Sequence, residues 1–272
     1  MNEQQKAKRK LIEKVLKEPD YLLRADIVKQ LTDQNDLIEI AETDPDCYVR
    51  QVAVSKINEQ SFLEKISKTD VDYYVRLAAV KNISDENILK KIAINPDEDF
   101  FISREAVKKI NTQEVLWEIV HKAPDTDIKR AAVNLIEKPG LLQKIAESDI
   151  DFYIRLDAIK RIKDASAIEN IVQNDPDYYV RAVTIQFVEN PELLFHIAQN
   201  DPDYYVREQA VNNINDDNRL LKIAQTDNDI FVRKAALEKI SNPEMIKNAL
   251  KVSNDALFRK IAKQIIKKSD SD

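Results

Sequence analysis

Asp175-Pro176-Asp177-Tyr178-Tyr179-Val180-Arg181 returns 26 residues later as Asp201-Pro202-Asp203-Tyr204-Tyr205-Val206-Arg207, and a relative of both begins at Asp44. Aligning every copy on its arginine gives ten anchors: Arg24, Arg50, Arg76, Ser103, Lys129, Arg155, Arg181, Arg207, Arg233 and Arg259. Successive anchors lie 26 residues apart, except for 27 between Arg76 and Ser103. Ten copies in one register mark a repeat architecture. Each unit is too small to bury its own apolar face, so neighbours close a shared core.

Four residues before each anchor stands an aspartate: Asp20, Asp46, Asp72, Asp99, Asp125, Asp151, Asp177, Asp203, Asp229 and Asp255. Aspartate ahead of an apolar run reads as a helix N-cap. Its carboxylate accepts the orphan N–H groups of the first turn, for about 1 kcal/mol per cap. From the cap the helix is expected to run about twelve residues, roughly 18 Å. Apolar residues fall one before the anchor and three, four and seven after it, as in Val75, Ala79, Val80 and Ile83 or Val206, Ala210, Val211 and Ile214. That is one stripe at about 100° per residue. The position three after the anchor is alanine in eight of ten copies, which lets neighbouring helices approach closely. A second, shorter helix is expected from the pattern Leu-Leu-x-x-Ile-Ala, as at Leu141–Ala146 and Leu193–Ala198. Asn190-Pro191-Glu192 and Asn242-Pro243-Glu244 are start signals for it, since proline suits the first helical position.

Composition narrows the function. Gly140 is the only glycine among 272 residues, so phosphate loops, dinucleotide folds and nucleophile elbows cannot be built in standard form. The net charge of -6 disfavours general nucleic-acid or membrane binding. Cys47 is the only cysteine, so no intrachain disulfide forms and a reducing, cytoplasmic setting fits. Met1 to Lys10 is polar and basic, unlike a secretory signal, and no apolar run approaches the ~20 residues of a membrane span.

Asp-Pro-Asp-x-x-Val-Arg followed by an alanine-rich apolar stripe resembles HEAT-like repeats. The short period and the Leu-Leu-x-x-Ile-Ala element resemble variant leucine-rich repeats more closely still. The likeness covers residues 18 to 267. It implies an all-α fold: an α-solenoid, a right-handed superhelix of ten two-helix repeats of about 26 residues, with the cap-aspartate helix lining the concave side. One domain over 1–268 and a disordered tail over 269–272 are expected. The resemblance also implies a structural ladder of aspartate and arginine between repeats. The matching residues are Asp44 with Arg50, Asp70 with Arg76, Asp149 with Arg155, Asp175 with Arg181, Asp201 with Arg207 and Asp227 with Arg233. Some variant-repeat proteins resemble iron–sulfur carriers with an N-terminal cysteine cluster, which a chain with Cys47 alone does not hold in the usual way.

The aromatics form two sets. Tyr21, Tyr73, Phe100, Phe152, Tyr178 and Tyr204 sit three before the anchor and flank the core, where they staple neighbouring repeats. Tyr48, Tyr74, Phe101, Tyr153, Tyr179, Tyr205 and Phe231 sit two before it, nearly opposite the core stripe. Two readings stay open for this second set: first-turn packing over the preceding loop, or an aromatic ladder for a partner. The same outward face is basic mid-chain, with Lys81, Arg104, Lys108, Arg130 and Lys160, whereas Glu208, Asn212 and Glu238 follow. The repeat is also least regular over 95–140. An extra residue precedes Ser103, Ser103 and Lys129 replace arginine, and Thr126-Asp127 replaces the aromatic pair. Repeat drift and a functional site both account for that. Trp117, with His121 one turn on, is either a hot-spot anchor or the cap of an altered core.

These features predict a non-catalytic, monomeric scaffold that binds a protein or extended peptide, with an acidic peptide fitting best. The candidate contacts are Tyr74, Phe101, Arg104, Lys108, Arg130, Tyr153, Tyr179 and Trp117. No cofactor or metal is expected, since His121 and His196 lack ligand-spaced companions and the Asp-x-Asp pairs lack an EF-hand's glycine and final Glu. Fold analogy supplies two rivals, an alkylpurine DNA glycosylase-type nucleic-acid binder and a pigment lyase or chaperone. The sparse basic residues weaken the first.

Overall fold

A computed structural model describes residues 12–15, 17–148 and 151–269 of the chain. Among the described residues the protein is all-helical, with no strand, and none of its helices is long and apolar enough to cross a membrane. The chain divides into two compact units, Met1–Glu137 and Lys138–Asp272.

After a helical stretch over 12–15, the first unit contains α1 (Tyr21–Gln30), α2 (Gln34–Thr43), α3 (Cys47–Val54), α4 (Gln60–Thr69), α5 (Tyr73–Asn82), α6 (Glu86–Ala93), α7 (Phe100–Lys108), α8 (Gln113–Lys122) and α9 (Thr126–Val133). The second contains α10 (Pro139–Ala146), α11 (Phe152–Ile159), α12 (Ala165–Asn174), α13 (Tyr178–Thr184), α14 (Pro191–Asn200), α15 (Tyr204–Asn213), α16 (Asp217–Thr226), α17 (Ile230–Lys239), α18 (Pro243–Val252) and α19 (Ala256–Ser269). Within each unit the odd-numbered helices from α3 on pack on the even-numbered helix before them, and each odd-numbered helix packs on the next odd-numbered one. The repeat unit is therefore a helical hairpin whose apolar stripe is covered by its neighbours.

The cap aspartates start the odd-numbered helices. Asp46, Asp72, Asp99, Asp177, Asp203 and Asp229 each accept the N–H two residues on, at 2.7–2.9 Å. Asp125 and Asp255 accept the N–H three residues on, at 3.0 and 2.9 Å. The stripe is the core: Val75, Ala79, Val80 and Ile83 are fully buried, as are Val206, Ala210 and Val211.

Two expectations need correction. The cap-aspartate helices before α19 span 7 to 10 residues, not about twelve, and the Leu-Leu helices span 8 to 10, so neither is the shorter. The stop lies at the isoleucine seven after the anchor. Ile83, Ile214 and Ile240 take extended backbone as C-caps and turn their side chains back into the core. At the C-terminus, Ser269 ends α19 instead of starting a tail, and residues 270–272 lie outside the described residues.

Candidate functional site

The anchor arginines tie neighbouring repeats together over much of the array. Arg24, Arg50, Arg181 and Arg207 each grip the carboxylate twenty residues on. Nε and Nη2 meet the two oxygens of Asp44, Asp70, Asp201 and Asp227 at 2.8–3.0 Å. This bidentate fork is the strongest geometry open to a guanidinium and a carboxylate. Arg155 joins Asp175 in the same direction, and Arg233 reaches Asp255 at 2.7 Å.

The ladder pairing therefore differs from the within-repeat assignment. Arg50 meets Asp44 of its own repeat through the main chain, Nη1 donating to the Asp44 carbonyl at 3.1 Å. Arg181 and Arg207 treat Asp175 and Asp201 likewise, at 2.8 and 3.0 Å. The Asp44 carboxylate belongs to Arg24 of the preceding repeat. The reason is reach: a guanidinium that satisfies its own loop's carbonyls with one edge presents the other edge across the seam. Asp149 lies outside the described residues. Burial pushes Asp70 up, but Arg50 and the Asp72 N–H outweigh it and hold the carboxylate below its ordinary range. The pairs are buried, with side chains 9–13% exposed for Arg and 5–6% for Asp in four rungs.

A second set of stitches escaped the sequence reading. The first residue of an even-numbered helix reaches the start of the next even-numbered helix. Gln34 Oε1 accepts the Asn58 N–H at 2.9 Å, and Gln60 Oε1 accepts those of Ser84 and Asp85 at 2.7 and 3.1 Å. Glu86 accepts from Asn111 and Gln113 from Glu137, at 2.9 and 2.6 Å. In the second unit Asp217 does this for Ser241 and Asn242, both at 3.0 Å, whereas Pro139, Ala165, Pro191 and Pro243 hold the equivalent places. The available signal was an amide or acid recurring at one helix position in the first unit.

On this frame the outward residues fall as follows. Phe101, Arg104 and Lys108 occupy positions i, i+3 and i+7 of α7 and share one face. Tyr74 on α5 and Arg130 on α9 stand on the two helices that flank α7, at the same repeat positions as Phe101 and Arg104. Tyr74 and Phe101 are 62% and 61% exposed, far above what their size leaves in a packed site. Lys108 lies 3.3 Å from Glu105, and Arg130 lies 3.6 Å from Asp127. Arg104 and Lys81 have no acidic partner within ion-pair distance among the described residues.

Tyr153 and Tyr179 belong to the second unit, on α11 and α13. Tyr153 is exposed, but Tyr179 stacks on Tyr205 at 6.2 Å and meets Phe152 at 4.9 Å. The aromatics three before the anchor also divide. Tyr73, Phe100 and Phe152 are half-buried, while Tyr21, Tyr178 and Tyr204 are exposed. Trp117 is on the other layer, on α8. Its ring lies 4.0 Å from that of His121, whose Nδ1 sits 2.8 Å from the Trp117 carbonyl oxygen. The buried Trp117 Nε1–H finds no hydrogen-bond partner among the described residues.

No protein-family model matches this chain, and no curated protein matches it. Among the described residues no three His, Cys, Asp or Glu side chains converge as a metal-binding group. What the geometry offers in the first unit is exposed rings and cations on neighbouring odd-numbered helices.

Proposed function

We propose that the chain is a non-catalytic binding scaffold whose outward face on α5, α7 and α9 holds a protein or extended peptide, and that an acidic peptide fits it best. The observation that carries this reading is the exposure of Tyr74 and Phe101 beside Lys81 and Arg104, cations without an acidic partner. Exposed aromatics supply apolar contact at low entropic cost, and arginine supplies charge-assisted hydrogen bonds to carboxylates. The reading takes the stacked hairpins as a right-handed HEAT-like superhelix with this face on its concave side, and the protein as a cytoplasmic monomer. A nucleic acid fits less well, because the net charge is -6 and this face carries few basic residues for a long phosphate backbone.

Site-specific photo-crosslinking tests the reading. A photoreactive residue at Lys108 should capture a partner, and one at Trp117 should not. Capture from Trp117 alone would move the working surface to the even-numbered helices.

A further inference from the structure

One rung of the ladder is open. Arg76 holds its own loop as the other anchors do, Nη1 donating to the Asp70 and Val71 carbonyls at 3.0 and 3.4 Å. In Arg50 and Arg207 the same hold, at 3.1 and 3.0 Å to the first carbonyl, leaves Nε and Nη2 facing the next repeat's carboxylate. At Arg76 that edge meets no hydrogen-bond acceptor and no carboxylate within ion-pair distance among the described residues.

The cause is a single atom type. Each ladder aspartate also accepts the N–H two residues on: Asp44 from Asp46 at 2.9 Å, Asp70 from Asp72 at 2.8 Å, Asp201 from Asp203 at 2.9 Å. Asn95 makes this same turn, accepting from Asp97 at 3.2 Å. Asn95 is thus the structural counterpart of the ladder aspartate, with a neutral amide in place of the carboxylate. The extra residue of this repeat follows it. A second replacement that faces an arginine behaves differently. Where Ser253 stands in the aspartate's place, accepting from the Asp255 N–H at 3.2 Å, Arg233 turns to Asp255 at 2.7 Å. Arg76 finds no such substitute. Glu98 is close enough to feel its charge, but its oxygen takes the Asp99 N–H at 3.2 Å and burial pushes its carboxyl up.

Arg76 itself is half-buried, and cavities border two of the filled rungs. Arg207 and Asp227 line a cavity of about 410 Å³ with Asn200 and Thr226, and Arg24 and Asp44 line the corresponding one of about 140 Å³. The filled rungs are therefore internal templates for what the open one accepts.

We propose that the Nε/Nη2 edge of Arg76 is a receptor for a carboxylate supplied in trans, an aspartate or glutamate side chain of the bound peptide. This deepens the peptide-binding reading and rests on it for the donor chain alone. The fork holds its pose before binding, so little ordering entropy opposes the contact. A carboxylate matches the fork bidentately, as Asp44, Asp70, Asp201 and Asp227 do for their own arginines.

The test follows the arginine Nε–H resonances by NMR during titration with hexaglutamate blocked at both ends. Hexaglutamine and inorganic phosphate, at matched ionic strength, are the comparison arms. In the wild-type protein Arg76 should shift saturably towards the positions of Arg24, Arg50, Arg181 and Arg207, which should stay still. Asn95→Asp supplies the carboxylate in cis and, being a stabilising change, leaves folding intact. It should place the Arg76 resonance at the filled-rung position, raise the melting temperature and weaken hexaglutamate about tenfold, the scale of one charge-assisted pair. Arg76→Lys keeps the charge but loses the fork and should weaken it similarly. Arg76 unmoved by hexaglutamate, or Asn95→Asp binding as wild type does, overturns the inference. A stronger response to phosphate than to hexaglutamate overturns the carboxylate assignment. Because the probe is synthetic, these failures leave the scaffold reading standing, and it falls only on its own partner-capture tests.

Discussion

Arg50 spans two loops at once: Nη1 holds the Asp44 carbonyl of its own repeat at 3.1 Å, while Nε and Nη2 clamp Asp70 of the next at 2.9 Å. The guanidinium fixes where one repeat's loop sits relative to the following one. At the filled rungs, this contact ties successive odd-numbered helices together.

Truncating a rung arginine should be costly, and truncating an outward arginine should not. Arg181→Ala leaves Asp201 buried without its cation, along with the Asp175 carbonyl. Removing one partner of a buried pair costs about 3–5 kcal/mol. Arg104→Ala removes an exposed side chain that pairs with no acid among the described residues, and should cost about 0–1 kcal/mol. Urea unfolding of both variants checks this, and equal small losses would refute the seam assignment.

Acid should weaken the ladder in a defined direction. Asp70 has a folded pKa below its ordinary 3.8, so its contribution to stability is complete above that value. It is lost as pH falls through the lowered folded value, when Arg50 is left charged opposite a neutral acid. Asp70→Asn should lower stability near neutrality and flatten the acid limb of a melting-temperature profile against pH. A variant whose acid limb parallels the wild type would separate Asp70 from that behaviour.

The amide stitches make a smaller, local prediction. Gln60→Ala frees the Ser84 and Asp85 N–H groups that start α6. A lost helix-start cap costs about 0.5–2 kcal/mol. Hydrogen exchange at the Ser84 amide should accelerate in the variant while the amides of α3 keep their protection. Unchanged exchange at Ser84 would mean water replaces the glutamine fully.

The hairpin unit and its caps were legible because they are local. An aspartate, an apolar stripe and a fixed period act within about ten residues, and Asp72 with Val75, Ala79 and Val80 shows all three. The partner of each ladder arginine was not legible. Asp44 and Asp70 are equally near Arg50 in kind, and only the stacked loops decide that one offers a carbonyl and the other a carboxylate. The Gln60 stitch was hidden for the same reason, since it joins residues 24 and 25 apart across a seam. Exposure of the aromatics divides by neighbour as well: Tyr74 and Tyr179 occupy one repeat position, yet Tyr179 is part-covered by Tyr205 and Phe152, whereas the ring contact of Tyr74 among the described residues is with its sequence neighbour Tyr73.

The central claim is that the basic, aromatic face of α5, α7 and α9 holds the partner, and charge reversal tests it most directly. Arg104→Glu with Arg130→Glu changes two outward side chains and leaves the core and the ladder arginines in place. Partner capture by the double variant is measured against wild type, together with its melting curve and the salt dependence of binding. The account predicts a melting curve close to wild type, loss of capture, and wild-type binding that weakens with salt as exposed charges are screened beyond about 8 Å. Full-strength capture by the double variant, together with its loss on Trp117→Ala, would contradict the account and assign the partner to the opposite layer.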